Sequence, residues 1–239
     1  MGRDLCIVWR TFAGTFRGAG MKVLGRVLVF FVLSGVVLFP LDLVILEWVR
    51  SPDIGGLERA EEFLDFWGDF LPFNVGITAV LLAVGWMRRD PWVRRAAFAF
   101  LLAGILSGAT ARLFKFSTGR ARPSAVEDRA LHWVSFEGPS LKASYHGYFS
   151  GHTAATWGSA TAIFILCPRF GGIALLFAGA VGWSRLYGNH HFPSDVAHGA
   201  ACGVAWGWLV ARDLALLKKR RQLDDPRATH PRRGPRPPT

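Results

Sequence analysis

The chain has 239 residues, a formal net charge of +11 and an apolar fraction of 51%, including 10 Trp and 19 Phe. This length is expected of one domain, and the apolar fraction lies near the upper limit for a soluble protein. The apolar residues form blocks long enough to cross a hydrocarbon core of about 30 Å, which takes about 20 helical residues. A nucleic-acid partner is therefore disfavoured, because basic residues that flank membrane spans account for the charge.

Six apolar segments predict an all-α integral membrane bundle. The first could be mistaken for a signal peptide, but its apolar run exceeds the usual ~7–15 residues and no small-residue cleavage site follows it. We therefore interpret it as a retained signal anchor. The predicted spans, in chain order, are residues 23–46, 70–87, 95–114, 151–167, 171–187 and 196–214.

The distribution of Lys and Arg predicts the orientation, because cytoplasmic loops carry an excess of basic residues. Both termini are expected in the cytoplasm, so this is predicted to be a multi-pass inner-membrane protein. The basic residues on the cytoplasmic side are Arg3, Arg10, Arg17, Lys22, Arg26, Arg88, Arg89, Arg94, Arg95, Arg169 and those from Arg212 through Arg236. The first outer loop is acidic, with Asp53, Glu58, Glu61, Glu62, Asp65 and Asp69.

Residues 1–217 form the predicted membrane domain. Residues 218–239 form a basic, Pro-rich tail that cannot bury a core and is predicted to be disordered in the cytoplasm. The three cysteines, Cys6, Cys167 and Cys202, fall in the cytoplasm or within spans, so no disulfide is predicted.

A first polar stretch, Lys115-Phe-Ser-Thr-Gly-Arg-Ala-Arg122-Pro123, ends the third span. Six residues separate Lys115 from Arg122, so the chain must fold back for both to reach one anion, in a turn region that Gly119 and Pro123 mark. Arg suits bidentate contact with phosphate, and Lys acts as a point charge. Taken alone, Lys115 is equally typical of a residue that reaches for the lipid head groups.

A second stretch, Phe149-Ser150-Gly151-His152-Thr153, begins the fourth span. Ser150 is a good N-cap, and a helix N-terminus presents free N–H groups that can bind an anion. His152 would lie in the first turn and face the bound group. Taken alone, an N-cap serine before a helix is commonplace.

A third stretch runs from Ser184-Arg185, at the end of the fifth span, to His191 and Asp195. Pro193 fits the first position of the last helix, which places Asp195 in its first turn. A carboxylate that accepts a proton from one imidazole nitrogen leaves the other nitrogen free to attack. Taken alone, Asp195 could be only a helix cap. All three stretches nevertheless lie at span ends on the same predicted outer face.

In combination the three stretches resemble the three-part signature of the type 2 phosphatidic acid phosphatase superfamily. The spacing within each part is similar to that of the family. The residues that carry the resemblance are Lys115, Arg122 and Pro123, then Ser150, Gly151 and His152, then Ser184, Arg185, His191 and Asp195.

The resemblance implies a role for each residue. His191 would be the nucleophile that forms a phosphohistidine, and Asp195 would orient it. His152 would protonate the leaving oxygen and later help to activate water. No metal or other cofactor is implied. The implied phosphate-binding residues are Lys115, Arg122, Ser150, Gly151 and Arg185.

Several other residues receive separate interpretations. Phe149 stands where the family usually has Pro, which alters the approach to the helix but no reacting group. His190 is the second choice of nucleophile, because its spacing fits neither Arg185 nor Asp195. Arg112 is expected to help the site or to pair with an outer carboxylate.

The loop 116–149 is an outer-face insertion between spans three and four. It is interpreted as an amphipathic lid that carries Trp133, Phe136 and Tyr145, and its His132 and His146 are interpreted as surface residues. Gly199, Gly203 and Gly207 recur every four residues, which indicates close helix packing.

The sequence thus predicts a membrane lipid phosphatase with its active site at the periplasmic face. The expected substrates are undecaprenyl diphosphate, phosphatidylglycerol phosphate, phosphatidic acid and lipid A phosphates. One alternative is a lipid phosphotransferase that uses the same phosphohistidine, and another is a non-catalytic lipid-binding or transport protein. A vanadium haloperoxidase shares the motif arrangement but is disfavoured by six apolar spans.

Overall fold

The computed structural model describes residues 2–51, 56–126 and 136–223 as a helical bundle. Within these residues, strand-like pairing is limited to one isolated bridge between Arg120 and Phe136. A π-helical segment, Phe70–Gly76, leads directly into the third helix. The helices are α1 (Gly2–Arg50), α2 (Leu57–Gly68), α3 (Ile77–Met87), α4 (Pro91–Thr118), α5 (Gly151–Leu166), α6 (Pro168–Tyr187) and α7 (Pro193–Leu223).

The predicted all-α architecture is confirmed for the described residues, and several of the helices could cross a membrane. Five helical segments are long and apolar enough to cross a membrane: Gly2–Arg50, Phe70–Met87, Pro91–Thr118, Pro168–Tyr187 and Pro193–Arg220. The remaining predicted span corresponds to α5, whose 16 residues fall short of the about 20 that a hydrocarbon core requires. This helix lies at the centre of the bundle, against α4, α6 and α7. Six spans therefore stay a prediction.

The helix ends follow from capping residues that the sequence displays. Asp90 caps α4 by accepting from the backbone N–H of Trp92 at 2.7 Å, with Pro91 at the first helical position. Gly119 ends the same helix in the left-handed conformation, at a φ of 60°. A side chain there would collide with the Gly138 carbonyl oxygen, so only glycine fits this turn. The predicted reversal after Lys115 is confirmed.

The ends of the chain differ from the predicted spans. Helix α1 begins at Gly2, well before the predicted start at residue 23, and at about 1.5 Å per residue it is about 74 Å long. Helix α7 continues to Leu223, six residues beyond the predicted boundary at 217. The run of Leu, Lys and Arg at 214–221 continues the helix because these residues have good helix propensity. The rest of the predicted tail, 224–239, lies outside the described residues.

The acidic first outer loop contains a helix that the sequence analysis missed. Helix α2 is only 12 residues long and so gives no span signal. Glu61 and Asp65 point toward the start of α5 and the end of α6, whereas Phe63, Phe66 and Trp67 are 57%, 63% and 46% exposed. Such a helix, acidic on one side and aromatic on the other, fits a position at the membrane interface.

The glycine stripe of α7 packs against the backbone of α5, as the sequence predicted. A Cβ at Gly199 would lie 2.8 Å from the carbonyl oxygen of Ser150, and one at Gly203 would lie 2.6 Å from that of Ala154. The third glycine, Gly207, meets the backbone of Gly158 in the same way. Because these partners are backbone atoms, they cannot make room by a change of side-chain rotamer. The stripe therefore sets the separation of α5 and α7, on which the site depends.

Substitution of Gly203 by alanine is expected to destabilise the protein by about 1–3 kcal/mol, the usual cost of overpacking. Gly179→Ala is the matched control, because no atom lies within 4 Å of a Cβ at this position in α6. The control is expected to be neutral or stabilising by about 0.5–1 kcal/mol. Thermal unfolding midpoints in detergent measure both effects, and equal midpoints for the two variants would contradict the packing interpretation.

The two ends of the bundle carry separate ionic clusters. At the N-terminal end of α1 and α4, Asp4 accepts from Nε of Arg94 at 2.8 Å and from Nε of Arg95 at 3.0 Å. Helix α4 has 28 residues, about 42 Å, so this cluster lies far from Lys115 in the last turn of that helix. The predicted catalytic motifs all meet at the other end.

Candidate active site

Two of the three polar stretches line one cavity of about 540 Å³. The third lies beside it, where His191 experiences the charges of Lys115, Arg122 and Arg185. The C-terminal turn of α4 brings Lys115 to the cavity, and the Gly119 reversal returns Arg122 to the same wall. The first turn of α5 contributes Gly151 and His152. Apolar residues form the remaining wall toward the bundle side: Phe70, Ile105, Gly108, Ala109 and Ala155.

His191 lies buried between the end of α6 and the start of α7. It is 2% exposed, and its backbone N–H donates to the Arg185 carbonyl at 3.1 Å. Burial lowers the pKa of His191 well below its usual range, and the positive charges of Lys115 and Arg122 lower it further. The imidazole is therefore neutral at pH 7, the form in which a ring nitrogen has a lone pair to donate.

Asp195 lies in the first turn of α7, as the sequence predicted. Its Oδ2 is 3.7 Å from Nδ1 of His191, which is a close contact but longer than a hydrogen bond. Both oxygens have other donors: Oδ1 accepts from Arg120 at 2.6 Å, and Oδ2 accepts from the Phe192 backbone N–H at 2.9 Å. The carboxylate is thus fixed in place next to the histidine.

His152 stands at the cavity wall with its side chain 30% exposed. Its Nε2 lies 3.6 Å from carboxylate oxygens of both Asp65 and Asp69. Both carboxylates lie close enough to attract the ring once it is protonated, and the protonated ring is the form that can give a proton to a leaving group. His152 therefore has access to the cavity and acidic neighbours, whereas His191 is buried among cations.

Ser150 caps α5 as predicted, and it is fully buried. Its Oγ accepts from the Thr153 backbone N–H at 3.4 Å and from the Thr153 hydroxyl at 2.9 Å. Gly151 lines the cavity next to Lys115. The exposed anion-binding elements at this helix end are therefore the backbone at Gly151 and the nearby ammonium group.

Arg185 ends α6 and is held by the acidic face of α2. Its Nη1 is 2.5 Å from Asp65 Oδ1, and its Nη2 is 3.4 Å from Glu61 Oε1. The same Glu61 oxygen is 3.7 Å from His190 Nε2. Both terminal nitrogens of Arg185 therefore contact carboxylates of α2, and a phosphate that binds this arginine competes with them.

Glu61, Asp65 and His190 also bring ligand-type atoms within 4.8 Å of one another, a spacing compatible with a cation. Both carboxylates already neutralise Arg185, which accounts for their position. Burial and the nearby Arg185 lower the pKa of His190. Its contact with Glu61 places this histidine on the α2 side, apart from Asp195.

The other sequence interpretations have mixed outcomes. Arg112 and His146 both line the cavity, and His146 Nε2 lies 2.9 Å from the Ser140 carbonyl oxygen. Phe149, which replaces the usual proline, is fully buried with its ring 5.2 Å from that of Phe114 and so anchors the approach to α5. His132 and Trp133 lie outside the described residues. The described parts of the predicted insertion contain two short 3₁₀ turns, Pro123–Ala125 and Ala143–Tyr145.

Two site residues were absent from the sequence predictions: Arg120 and Asp42. Arg120 lies inside the first stretch, two positions before Arg122, and was overlooked because only the spaced Lys and Arg were considered. Asp42 is an ionisable residue inside the first predicted span, a position that usually indicates a functional group. That signal was available in the sequence.

Comparisons with known proteins agree with the motifs and the fold. A model of the PAP2 superfamily matches residues 93–218. The lipid A 1-phosphatase of Rhizobium etli is 34% identical over 104 residues, which cover 44% of this chain and 43% of that protein. The lipid A 1-phosphatase of Rhizobium johnstonii is 32% identical over 107 residues, covering 45% and 43%. The matches thus span less than half the length of these relatives.

A solved structure shares the fold. The crystal structure of Aquifex aeolicus LpxE superimposes with a TM-score of 0.51 at 23% identity, and the match covers 72% of this chain and 95% of that one. The superfamily match extends over more than half of the chain and contains Lys115, His152 and His191. This chain therefore belongs to the PAP2 superfamily.

Proposed function

We propose that this protein is an integral membrane lipid phosphatase that works through a phosphohistidine on His191. The observation that carries the proposal is the position of one neutral, buried imidazole among the cations Lys115, Arg122 and Arg185, next to a cavity bordered by His152. The match to the PAP2 superfamily supports the same chemistry.

The reaction follows from the placement of these side chains. Because Nδ1 of His191 faces Asp195, Nε2 is the nitrogen that attacks phosphorus. The bond from phosphorus to the lipid oxygen breaks, and His152 gives its proton to that oxygen. His152 then takes a proton from water, which attacks the phosphohistidine and releases inorganic phosphate. The three cations hold the phosphate oxygens, and fixed charge of this kind is the main source of acceleration in phosphoryl transfer.

We place the site at the periplasmic face of the inner membrane, with six spans and both termini in the cytoplasm. The basic cluster that contains Arg94 and Arg95 lies at the end of the bundle opposite the cavity, as the excess of basic residues in cytoplasmic loops requires. The apolar wall formed by Phe70, Ile105 and Ala109 offers a lipid chain a route along the bundle to the cations.

Among the four lipid classes that the sequence leaves open, we favour lipid A phosphates. Two relatives with about one-third identity over less than half of this chain are named lipid A 1-phosphatases. The phosphate of such a lipid lies at the bilayer surface, where Lys115, Arg122 and Arg185 can bind its oxygens, as they can for the other three classes, so the preference rests on the two relatives.

A phosphate-release panel tests the proposal. Purified full-length protein is expected to release phosphate from lipid A faster than from undecaprenyl diphosphate, phosphatidylglycerol phosphate or phosphatidic acid. The rate is expected to be unchanged by a chelator, because the cations of the site are side chains. Absence of release from all four lipids would contradict the phosphatase function, and complete loss with chelator would contradict the mechanism. Product analysis with an added acceptor lipid separates hydrolysis from phosphotransfer.

A further inference from the structure

A buried ionic network behind the histidine joins α1 to the start of α7. Nη2 of Arg120 donates to Asp42 Oδ2 at 2.6 Å, and Nη1 donates to Asp195 Oδ1 at 2.6 Å. All three side chains have an exposed fraction of 0%. One guanidinium is therefore shared between the carboxylate next to His191 and a carboxylate from the first helix.

Ser194 ties the same network to the backbone of α7. Its Oγ donates to Asp42 Oδ2 at 2.6 Å and accepts from Arg120 Nη1 at 2.7 Å. Its backbone N–H donates to Asp42 Oδ1 at 2.8 Å. Asp42 thus holds the residue that directly precedes Asp195, as well as the arginine that binds it.

The free-energy cost of burying these charges suggests that the network has a functional role. Buried ion pairs pay a desolvation penalty, and apolar replacements of the same size often stabilise a protein as well or better. Burial opposes the charge of Arg120, but Asp195 and Asp42 together raise its pKa above the usual value, so it stays a cation. An aspartate in an apolar helix that serves only stability would be an inefficient choice.

We infer that Asp42 is a positioning residue for the reaction and acts through Arg120 and Asp195 on His191. Because Arg120 also pairs with Asp42, its positive charge only partly neutralises Asp195. The remaining negative charge of Asp195 can then attract the N–H at Nδ1 of the imidazole. Asp42 also fixes the backbone at Ser194, which sets the position of the neighbouring carboxylate. The inference rests on the proposed function, in which His191 is the nucleophile.

The charges around His191 determine what loss of Asp42 would do. Removal of a negative charge leaves Arg120 as a less compensated cation next to Asp195. The pKa of His191, already below its usual range, then falls further, because the imidazolium loses electrostatic support. The titratable groups that face His191 are Lys115 from α4, Arg122 from the following loop, His152 from α5, Arg185 from α6 and Asp195 from α7.

Asp42→Asn in the full-length chain tests the inference, because it keeps the size of the side chain and removes its charge. We expect kcat to fall about 10-fold to 100-fold, as for other residues that orient a reacting group through hydrogen bonds. KM should stay within about threefold, since the phosphate-binding side chains are untouched. The acid limb of kcat/KM, which reports the nucleophile in the free enzyme, should move to lower pH.

Asp4→Asn is the matched control for stability, since it also removes a buried carboxylate from arginine partners, at the opposite end of the bundle. It is expected to lower the unfolding midpoint but to leave kcat and the acid limb as in the wild type. If Asp42→Asn lowers the midpoint while kcat and the acid limb stay unchanged, Asp42 is only structural and the inference is wrong.

A second variant covers the case in which Asp42→Asn does not fold. Ser194→Ala keeps all three charges and removes one hydroxyl from the network, and it is expected to lower kcat about threefold to tenfold with KM unchanged. A wild-type kcat for Ser194→Ala would overturn the inference. The proposed function is tested separately, and it fails if wild type and His191→Ala release equal amounts of phosphate. If His191→Ala is inactive but Asp42→Asn is unimpaired, only the inference about Asp42 is contradicted.

Discussion

His191→Ala is expected to lower phosphate release by a factor of about 10⁴ or more, because removal of a covalent nucleophile eliminates the reaction path. The neighbouring variant His190→Ala is the matched control. His190 is 37% exposed in its side chain and contacts Glu61, whereas His191 is 2% exposed and contacts Asp195. The control is expected to keep most of the activity, since the side chain of His190 contacts Glu61, and alanine keeps the backbone N–H that donates to the Arg185 carbonyl.

The intermediate itself can be measured. Brief incubation of wild type with a radiolabelled lipid phosphate, followed by alkaline quenching, should leave label on the protein. The label should be lost in acid, because a phosphorus–nitrogen bond of phosphohistidine is labile there. If His191→Ala still carries the label, or if His190→Ala loses the activity instead, His191 is not the nucleophile.

His152→Gln is expected to lower lipid hydrolysis about 10²-fold to 10⁴-fold, the usual contribution of a general acid. The glutamine keeps the shape of the side chain but has no proton to give to the leaving oxygen. In a single turnover, the loss in the first step should be much smaller for p-nitrophenyl phosphate, whose leaving oxygen is stable without a proton. Release of phosphate from the phosphohistidine should be slowed equally with both substrates, because His152 also activates the water. His191→Ala should lose both activities equally, because the nucleophile is needed whatever the leaving group.

This comparison between substrates separates the two histidines. If His152→Gln slows the first step by the same factor with both substrates, the residue binds phosphate or supports the fold and is not the acid. Binding of inorganic vanadate, a phosphate analogue, provides the check on site integrity. Unchanged vanadate inhibition in His152→Gln would show that Lys115, Arg122 and Arg185 are still in place.

Helix boundaries near the site were predictable because their causes are local. The N-cap at Ser150, the proline at position 193 and the reversal at Gly119 each depend on backbone preferences of one or two residues. The same holds for the apolar segments that became α3 to α7. Helix α2 was missed because 12 residues with alternating acidic and aromatic side chains produce no apolar run.

The partners of the site residues were less predictable, because they come from distant parts of the chain. Asp42 and Ser194 are 152 positions apart, and Asp65 reaches Arg185 from a helix in another loop. Nothing in local sequence periodicity links such pairs. The spacing did predict that His191 and Asp195 would be neighbours, but it did not show that Asp195 would be shared with Arg120.

The sequence by itself determined the candidates for the reacting groups, since residue type sets which side chains can attack phosphorus, donate protons or bind an anion. It also determined most helix ends through caps and glycines. Only the tertiary structure decided which protonation state of His191 is favoured and which carboxylates pair with Arg185 and Arg120. Burial among cations makes His191 neutral, the α2 carboxylates occupy Arg185, and the α1 aspartate shares Arg120. These properties depend on distance and desolvation in three dimensions, which no spacing along the chain encodes.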